Sequence, residues 1–491
     1  MGYWSPQAKR GGVGHRLLAG IPRHSLMKKT GVFLLILLLA GSAVAQEAAP
    51  PQTLGVRHTL PNGLVWLFSE QHSLPLVSVK VLIKGGVLRD PPEKAGLANL
   101  TALLLTQGTK KRSATQIAEE VDFLGAKLGA RGSDDYLAVD LTVLRKNLEP
   151  GLELLKDILF NPVFAQEEVK RKVAQLKASF QTDEDEPGIV ASRTFHRRLF
   201  GKNPYANPPK GTPEGLAAID RKDLVAFHEK FYRPNNAIVT VVGDLTPEEA
   251  EQSVVRTFGD WQAASIPPIK VIPPPDLPGI EKIVIDKNIT QANIIWGHLG
   301  IARDNPDFYA LQVLNYILGG GGFSSRLLNN IREDRGLAYS VASGFEAGIE
   351  PGAFAVDLET KNRTAGEAVA QVNREIERLR TQPVSATELE EAKSYLIGSF
   401  PAKMDSVAKR AALLAYVEFY GLGLDYPWRY PALIKNLTPA DLQKTAEKYL
   451  HPEKYLLVVV GNQREMPDFA SVASQPGDKE SKHDQGKKSQ P

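Results

Sequence analysis

The sequence predicts an α+β protein made of two homologous α/β sandwich domains joined by a Pro-rich linker. Three observations support this fold class: one segment occurs twice, strand-like segments precede longer amphipathic segments in both copies, and a proline-rich stretch separates them. A sheet with helices packed on one face buries the apolar side of both kinds of element. At 491 residues the chain is too long for one ordinary core and long enough for two domains.

The repeat pairs residues 216–244 with 434–462 at a constant offset of 218 (461 − 243). This offset aligns Gly243 with Gly461 and, without a gap, several charged and apolar residues before them. Each copy has the pattern of an amphipathic helix, a turn at a proline and a run of β-branched residues that ends at the glycine. So many identities at one offset indicate a duplicated domain.

The predicted domain boundaries follow from this duplication. The segment IPPIKVIPPPDLPG, residues 266–279, contains too much proline for a helix or an interior strand, so we interpret it as an extended linker. The predicted domains are therefore 52–265 and 280–465. Their strand-like segments are VSVKVLIKG and YLAVDLTVL in the first and KIVIDK and GAFAVDLET in the second. The polar remainder, 466–491, is predicted to be a disordered tail.

Residues 1–45 are predicted to be an N-terminal extension followed by a secretory signal peptide at about 27–45. Two lysines after Met27 precede an apolar run over 32–40, and small residues at 43–45 fit a cleavage site. The apolar run is too short to span a bilayer, and no later stretch predicts a transmembrane segment. We expect a periplasmic or secreted protein, whether translation begins at Met1 or at Met27.

Composition excludes several classes of function. The chain has no cysteine, which excludes disulfides, thiolate catalysis, Cys-ligated zinc and a lipoprotein anchor. A net charge of +3 is small for this length, so no nucleic-acid partner is predicted. The balance of 43% hydrophobic and 23% charged residues is typical of a folded soluble chain.

The most informative stretch is 316–343, YILGGGGFSSRLLNNIREDRGLAYSVAS. Its four consecutive glycines allow a sharp turn or a close backbone approach, and no GKS or GKT follows to suggest phosphate binding. A helix is predicted over 323–332, with Ser324 and Ser325 as caps and Gly336 as its stop. A strand is predicted to follow directly.

Arg332 and Tyr339 fall on either side of this predicted corner between helix and strand. A guanidinium and a phenol side by side are donors suited to a carbonyl oxygen or to the oxyanion that develops from it. The alternative is that both side chains are solvated or make structural hydrogen bonds.

The glycine run, the Ser-Arg-Leu sequence and the Arg/Tyr pair occur in one order, as LGGGGFSSRL and then IREDRGLAYSV. In this the chain resembles the C-terminal half of the pitrilysin/insulinase group of zinc metallopeptidases, in particular the mitochondrial processing peptidase branch. The resemblance covers about residues 55–462. It implies that Arg332 and Tyr339, which match the family's spacing, are substrate-binding residues that hold a peptide backbone near the metal.

The resemblance also locates the family's His-x-x-Glu-His motif, in PEKAGLANLTALLLTQGTKK. In active members two histidines on one helical face bind zinc and the glutamate activates water. These roles fall on Asn99, Ala102 and Leu103, none of which can perform them. The region of a further glutamate ligand, 174–179, reads Ala-Gln-Leu-Lys-Ala-Ser. No metal site and no bound cofactor are therefore predicted, and no two histidines lie three or four apart to replace the motif.

An Arg/Tyr pair without metal ligands resembles the non-catalytic subunit of heterodimeric family members. It implies a chain that is inactive alone and completes the site of a homologous, zinc-bearing partner that cleaves peptides. Two alternatives stay open. One is a scaffold or peptide-binding protein of the same fold, like the core subunits of respiratory complex III. The other is a self-sufficient peptidase with an atypical metal site.

The sequence supports predictions for two further segments. Residues 125–141 match the region where active relatives present an edge strand to a bound peptide, and an ordinary hairpin is the alternative. The acidic run 183–186 is predicted to be the solvated end of a helix.

Overall fold

The computed structural model describes residues 52–270 and 272–469; the predicted signal peptide and the predicted tail beyond 469 lie outside the described residues. The strands are β1 (Val56–Thr59), β2 (Val65–Glu70), β3 (Leu76–Lys84), β4 (Lys127–Gly132), β5 (Tyr136–Leu144), β6 (Ala237–Gly243), β7 (Glu281–Asp286), β8 (Gln291–Leu299), β9 (Ala338–Ala347), β10 (Pro351–Lys361) and β11 (Leu456–Gly461). The helices of the first half are α1 (Leu97–Leu104), α2 (Ala114–Phe123), α3 (Leu148–Phe160), α4 (Gln166–Glu184), α5 (Pro187–Phe200), α6 (Pro213–Ala218), α7 (Arg221–Phe231) and α8 (Pro247–Phe258). Those of the second half are α9 (Phe308–Asn315), α10 (Ala365–Thr381), α11 (Ala386–Ser399), α12 (Val407–Phe419), α13 (Tyr426–Lys435) and α14 (Pro439–Tyr449).

The strands form two mixed sheets that share one five-strand order, and the first sheet has β1 as an additional sixth strand. The first has the order β1-β2-β6-β3-β5-β4 and the second the order β7-β11-β8-β10-β9. In each sheet one pair is parallel, β2 with β6 and β7 with β11, and the other pairs are antiparallel. Strands β4 and β9 occupy equivalent free edges. The predicted α+β fold class is confirmed, and all four strand-like segments are strands.

The predicted repeat is confirmed in three dimensions. Helices α7 and α14 begin and end at positions that differ by the sequence offset, and each begins at a capping box. In the first copy Asp220 accepts a hydrogen bond from the N–H of Asp223, and in the second Thr438 accepts one from Asp441. These side chains satisfy N–H groups that the first turn of a helix leaves without partners. The strand after each helix is central in its sheet and buried along its whole length.

Two helices cross from one half to the sheet of the other. Helix α5 packs on β8 and β11, where Phe195 and Leu199 meet Val458 in one apolar cluster. Helix α12 packs on β3 and β6, and its Ala411 carbonyl accepts a hydrogen bond from Thr240 at 3.1 Å. The apolar face of each sheet thus depends on a helix from the other half.

The predicted linker and the start of the predicted tail differ in structure. The described residues of 266–279 contain no helix or strand. After β11 the chain continues in two short 3₁₀ turns, and Met466 and Phe469 are buried against the second sheet's core. The packed chain therefore extends past the predicted tail boundary at 466. Among the described residues, none of the helices is long and apolar enough to cross a membrane.

Candidate functional site

The helix that the family resemblance assigns to zinc is α1, and its side chains are used for packing. Ala102 is completely buried, and Asn99 is 8% exposed. The side-chain oxygen of Asn99 accepts a hydrogen bond from the N–H of Gly132, at the end of edge strand β4, at 2.8 Å. An amide already bonded to a strand, a methyl group and the aliphatic Leu103 do not fit a zinc ion, which requires imidazole, thiolate or carboxylate ligands.

The rest of the first half supplies no substitute. Residues 174–179 lie in the middle of α4, and no group of three His, Cys, Asp or Glu side chains within the described residues could hold a metal ion. The prediction of a solvated acidic run is wrong for its first member, because Asp183 is buried and pairs with Lys210. The other three members, 184–186, are exposed at the end of α4.

Two histidines that are distant in sequence lie together in the second half. The rings of His298 and His451 are 5.0 Å apart. Burial lowers the pKa of His298 to about 4, so this ring is neutral at pH 7. One of its nitrogens bonds the Leu299 carbonyl at 2.8 Å, and the other accepts the N–H of His451 at 3.2 Å. With both nitrogens engaged, His298 is a structural residue.

The Arg/Tyr corner is built by a helix end and an edge strand. The predicted helix over 323–332 is wrong in detail: a 3₁₀ turn, Gly322–Ser324, is followed by a π-helical segment, Leu328–Asp334. The predicted caps are also wrong, because the Ser325 hydroxyl donates to the Gly322 carbonyl at 2.7 Å instead of accepting from the helix. Gly336 is confirmed as the stop, with a left-handed φ of 61°.

Tyr339 lies at a bulge in β9, which explains where it points. Ser340 pairs with Glu359 on β10, whereas Ala338 pairs with the next residue, Thr360, so Tyr339 has no partner. A bulge re-aims a side chain that would otherwise alternate into the core. Ala338 and Val341 are buried, while Tyr339 and Ser340 between them are exposed. The Tyr339 side chain is 71% exposed.

Arg332 and Tyr339 are brought together at an open cavity of about 260 Å³. The central guanidinium carbon of Arg332 lies 5.8 Å from the centre of the Tyr339 ring. The nearest carboxylate, Glu333, is 3.6 Å from the guanidinium, beyond hydrogen-bond distance. Within the part of the chain that the structure describes, neither side chain donates a hydrogen bond to another residue. Both donors are therefore free for a ligand.

Both apolar and polar side chains line the cavity. Leu328, Val341 and Ala191 of the crossing helix α5 contribute apolar surface. Asp357 of β10 also lines the cavity, and partial burial of its carboxyl group, aided by the charge of Glu346, raises its pKa above the usual range. The cavity therefore offers two hydrogen-bond donors and a carboxylate.

The glycine run lies directly before this corner and is closely packed. A Cβ atom on Gly319 would meet the Ser343 hydroxyl at 2.5 Å, and one on Gly321 would meet the Tyr316 carbonyl oxygen at 2.6 Å. Gly322 has open space around it but a left-handed φ of 56°. Glycine is required here so that the turn can approach β9 and the preceding helix.

Sequence reasoning missed Phe323, the residue after the glycines. Its side chain is 70% exposed, and its ring centre lies 5.4 Å from the guanidinium carbon of Arg332. The signal was present, since a phenylalanine that ends a run of glycines has no helical apolar face to join.

A second cavity, of about 600 Å³, lies between the two halves and away from Arg332. At one side the buried Asp135 accepts hydrogen bonds from the hydroxyl groups of Tyr205 and Tyr420 and from the N–H of Ile349. Burial and the charge of Asp135 raise the pKa of the neighbouring Asp134 to about 6. These bonds join elements of both halves, so we assign the Asp135 cluster a structural role.

Comparisons with known proteins agree with this fold. Residues 66–212 match the family model described as "Insulinase (Peptidase family M16)", and residues 218–396 match "Peptidase M16 inactive domain". A Mycobacterium leprae protein named uncharacterized zinc protease is 30% identical over 321 residues, 64% of this chain and 72% of the relative. The non-peptidase homolog YmxG of Helicobacter pylori is 26% identical over 410 residues, 81% and 92% of the two chains.

A solved structure extends the comparison to the whole fold. The crystal structure of a peptidase M16 inactive domain from Pseudomonas fluorescens superposes with a TM-score of 0.78 at 28% identity, and the match covers 86% of this chain and all of that one. Sequence and structure thus agree in both halves. The chain belongs to the peptidase M16 family, the insulinase/pitrilysin group, and is of its inactive type.

Proposed function

We propose that this chain is the non-catalytic subunit of a heterodimeric zinc metalloendopeptidase. It would supply Arg332 and Tyr339 as substrate-binding and oxyanion-stabilising residues to a homologous partner that carries the zinc, and would itself bind no cofactor. One observation carries the proposal: two free donors stand together at an open cavity. Asn99 and Ala102 occupy positions that the family resemblance assigns to zinc binding and water activation, and both are buried.

The chemistry assigned to this chain is binding and orientation. The Arg332 guanidinium presents several N–H donors and the Tyr339 phenol one O–H donor. Together they would hold backbone carbonyl oxygens of an extended peptide and stabilise the oxygen that gains negative charge during cleavage. Neither group needs to give up an existing hydrogen bond within the described residues in order to bind a peptide.

The test is peptide cleavage by this chain together with the zinc-bearing homologue, compared with each chain alone. We expect cleavage only from the pair. Arg332→Ala or Tyr339→Phe should lower cleavage of an internally quenched, unstructured peptide by about 10²-fold, as for the removal of one oxyanion donor. Arg335→Ala and Tyr395→Phe are matched controls on neighbouring exposed residues and should change it less than twofold.

The other outcomes identify the alternatives. Unchanged turnover in both variants would reject the shared site and leave a scaffold or peptide-binding protein, a role that the name non-peptidase homolog of the Helicobacter pylori relative also suggests. Stoichiometric zinc in the isolated chain, with cleavage by that chain alone, would establish a self-sufficient peptidase. We also propose export to the periplasm or the exterior, which mass spectrometry of the mature N-terminus would test.

A further inference from the structure

Exposed aromatic side chains gather around Arg332. Among the large aromatic side chains exposed in the described chain, Phe323 and Tyr339 both lie within cation–π distance of its guanidinium, at 5.4 and 5.8 Å. Single exposed aromatics are common, but two of them beside a free arginine have the composition of a binding hot spot.

The turn that carries Phe323 is held in place on several sides. The Gly322 carbonyl accepts from both the N–H and the hydroxyl of Ser325, at 2.9 and 2.7 Å. On the other side of the turn, the Tyr316 ring lies close against Gly321. The position of the Phe323 ring is therefore set by the packed glycine turn, although the ring itself has little contact with the core.

Arg332 has few other restraints. Its guanidinium makes no hydrogen bond within the described residues, and Glu333 stays 3.6 Å away. A free arginine side chain has several rotatable bonds and loses entropy when it binds. Two ring faces that restrict the guanidinium to the cavity mouth remove part of this loss before the ligand arrives, which is the usual benefit of preorganisation.

We propose that Phe323 is a positioning residue of the peptide site, whose ring holds the Arg332 guanidinium toward the cavity. The inference rests on the proposed function, because it assigns Phe323 a role only through Arg332. This role would also explain the glycine run, which lets the turn approach β9 closely enough to place the Phe323 ring beside Arg332.

The experiment is a double-mutant cycle on peptide binding by the purified chain. The probe is fluorescein-labelled β-casein, an unfolded polypeptide, and binding is followed by fluorescence anisotropy. Phe323→Ala should weaken binding about fivefold, as for loss of one exposed cation–π contact. In the Arg332→Ala background the same change should have no further effect, because residues that act as a unit are not additive.

Two variants and one control separate the ring face from apolar bulk. Phe323→Trp should restore binding to within twofold, since indole is the best cation–π face, whereas Phe323→Leu should bind as weakly as Phe323→Ala. Phe123→Ala removes an even more exposed phenylalanine from the first half and should leave binding unchanged. All four proteins should unfold at the wild-type temperature.

Different experimental results would contradict the positioning role of Phe323 and the proposed function. Full additivity of Phe323→Ala and Arg332→Ala, or wild-type binding by Phe323→Leu, would overturn the positioning role while leaving the shared site intact. No effect of Arg332→Ala, or no binding by the wild type, would overturn the proposed function and the positioning role with it.

Discussion

Helix α1 packs against edge strand β4, and the segment that carries Arg332 packs against edge strand β9, yet these two edges differ in the burial and hydrogen bonding of their side chains. Around α1, Ala102 has no exposed surface and Asn99 uses its amide to bond the strand at Gly132. At the second corner a bulge turns Tyr339 outward and a cavity remains open. The same framework can therefore be closed by packing in one copy and kept open in the other.

The motif Ala-Val-Asp-Leu, present once in each half, shows the same contrast. In the first sheet Asp140 pairs with the buried Lys80 on β3 and with Arg131 on β4. In the second sheet Asp357 is paired in register with Ile295 and Ala342, and within the described residues no lysine or arginine forms an ion pair with it. The first carboxylate is paired with two cations, and the second lines the cavity. The two copies of the motif thus differ in whether their carboxylate has an internal partner.

The largest change in stability is expected from a carboxylate at the position on α1 that the family resemblance assigns to glutamate. Ala102→Glu should lower the free energy of unfolding by about 4 kcal/mol, because a carboxylate would enter a fully buried site without a partner. Urea unfolding measures the loss. Ala118→Glu, on an exposed face of α2, is the matched control and should change stability by less than about 0.5 kcal/mol.

Adding Asn99→His and Leu103→His to this variant completes the His-x-x-Glu-His motif and tests directly whether α1 can bind zinc. We expect metal analysis to find no stoichiometric zinc, since replacing Asn99 removes the amide that bonds Gly132 and the triple variant would be destabilised. Stoichiometric zinc in a protein of wild-type stability would contradict the view that this position has become part of the core.

Much of this fold could be predicted from the sequence. Helices α7 and α14 and the strands after them follow from the repeat and from apolar periodicity, which are local signals. The absence of the His-x-x-Glu-His pattern could also be recognised, because it depends on which residue types occupy three positions. The stop at Gly336 follows from the left-handed conformation that glycine tolerates.

What could not be predicted depends on tertiary register. The bulge that exposes Tyr339 is a shift in the register between β9 and β10. Nothing in the segment LAYSVAS predicts this shift. The crossing of α5 and α12 onto the opposite sheets depends on how the halves meet. The prediction for Asp183 is wrong because its partner, Lys210, lies outside its own helix.

A second test compares the two aspartates of the repeated motif. Asp140→Asn should lower the free energy of unfolding by about 3 kcal/mol, because it leaves the ammonium group of Lys80 buried without its carboxylate. Burial already lowers the pKa of Lys80, so the remaining charge is costly. Asp357→Asn should instead raise stability at pH 7. Urea titration of the three proteins measures both.

The expected gain in stability of Asp357→Asn can be checked through its dependence on pH. Its pKa is raised in the folded state, so the ionised carboxylate destabilises the protein above that pKa, and this cost is absent once the group is protonated in both states. The advantage of Asp357→Asn should therefore disappear as the pH falls below about 4, the ordinary pKa of aspartate. A loss of stability in Asp357→Asn at pH 7 would indicate a hidden partner for this carboxylate.

The smallest effect is expected from alanine at a glycine in each edge strand. A Cβ atom at Gly132 would lie 2.8 Å from the Cα of Asn99, a backbone atom of α1 that cannot move alone. Gly132→Ala should therefore lower the free energy of unfolding by about 2 kcal/mol through overpacking. At Gly344, in β9, a Cβ atom would meet nothing within 4 Å, and alanine should raise stability by about 0.5 kcal/mol through reduced freedom of the unfolded chain. Thermal and urea unfolding of the two variants would distinguish a closed first edge from an open second one, and equal losses at both positions would show that the edges are packed alike.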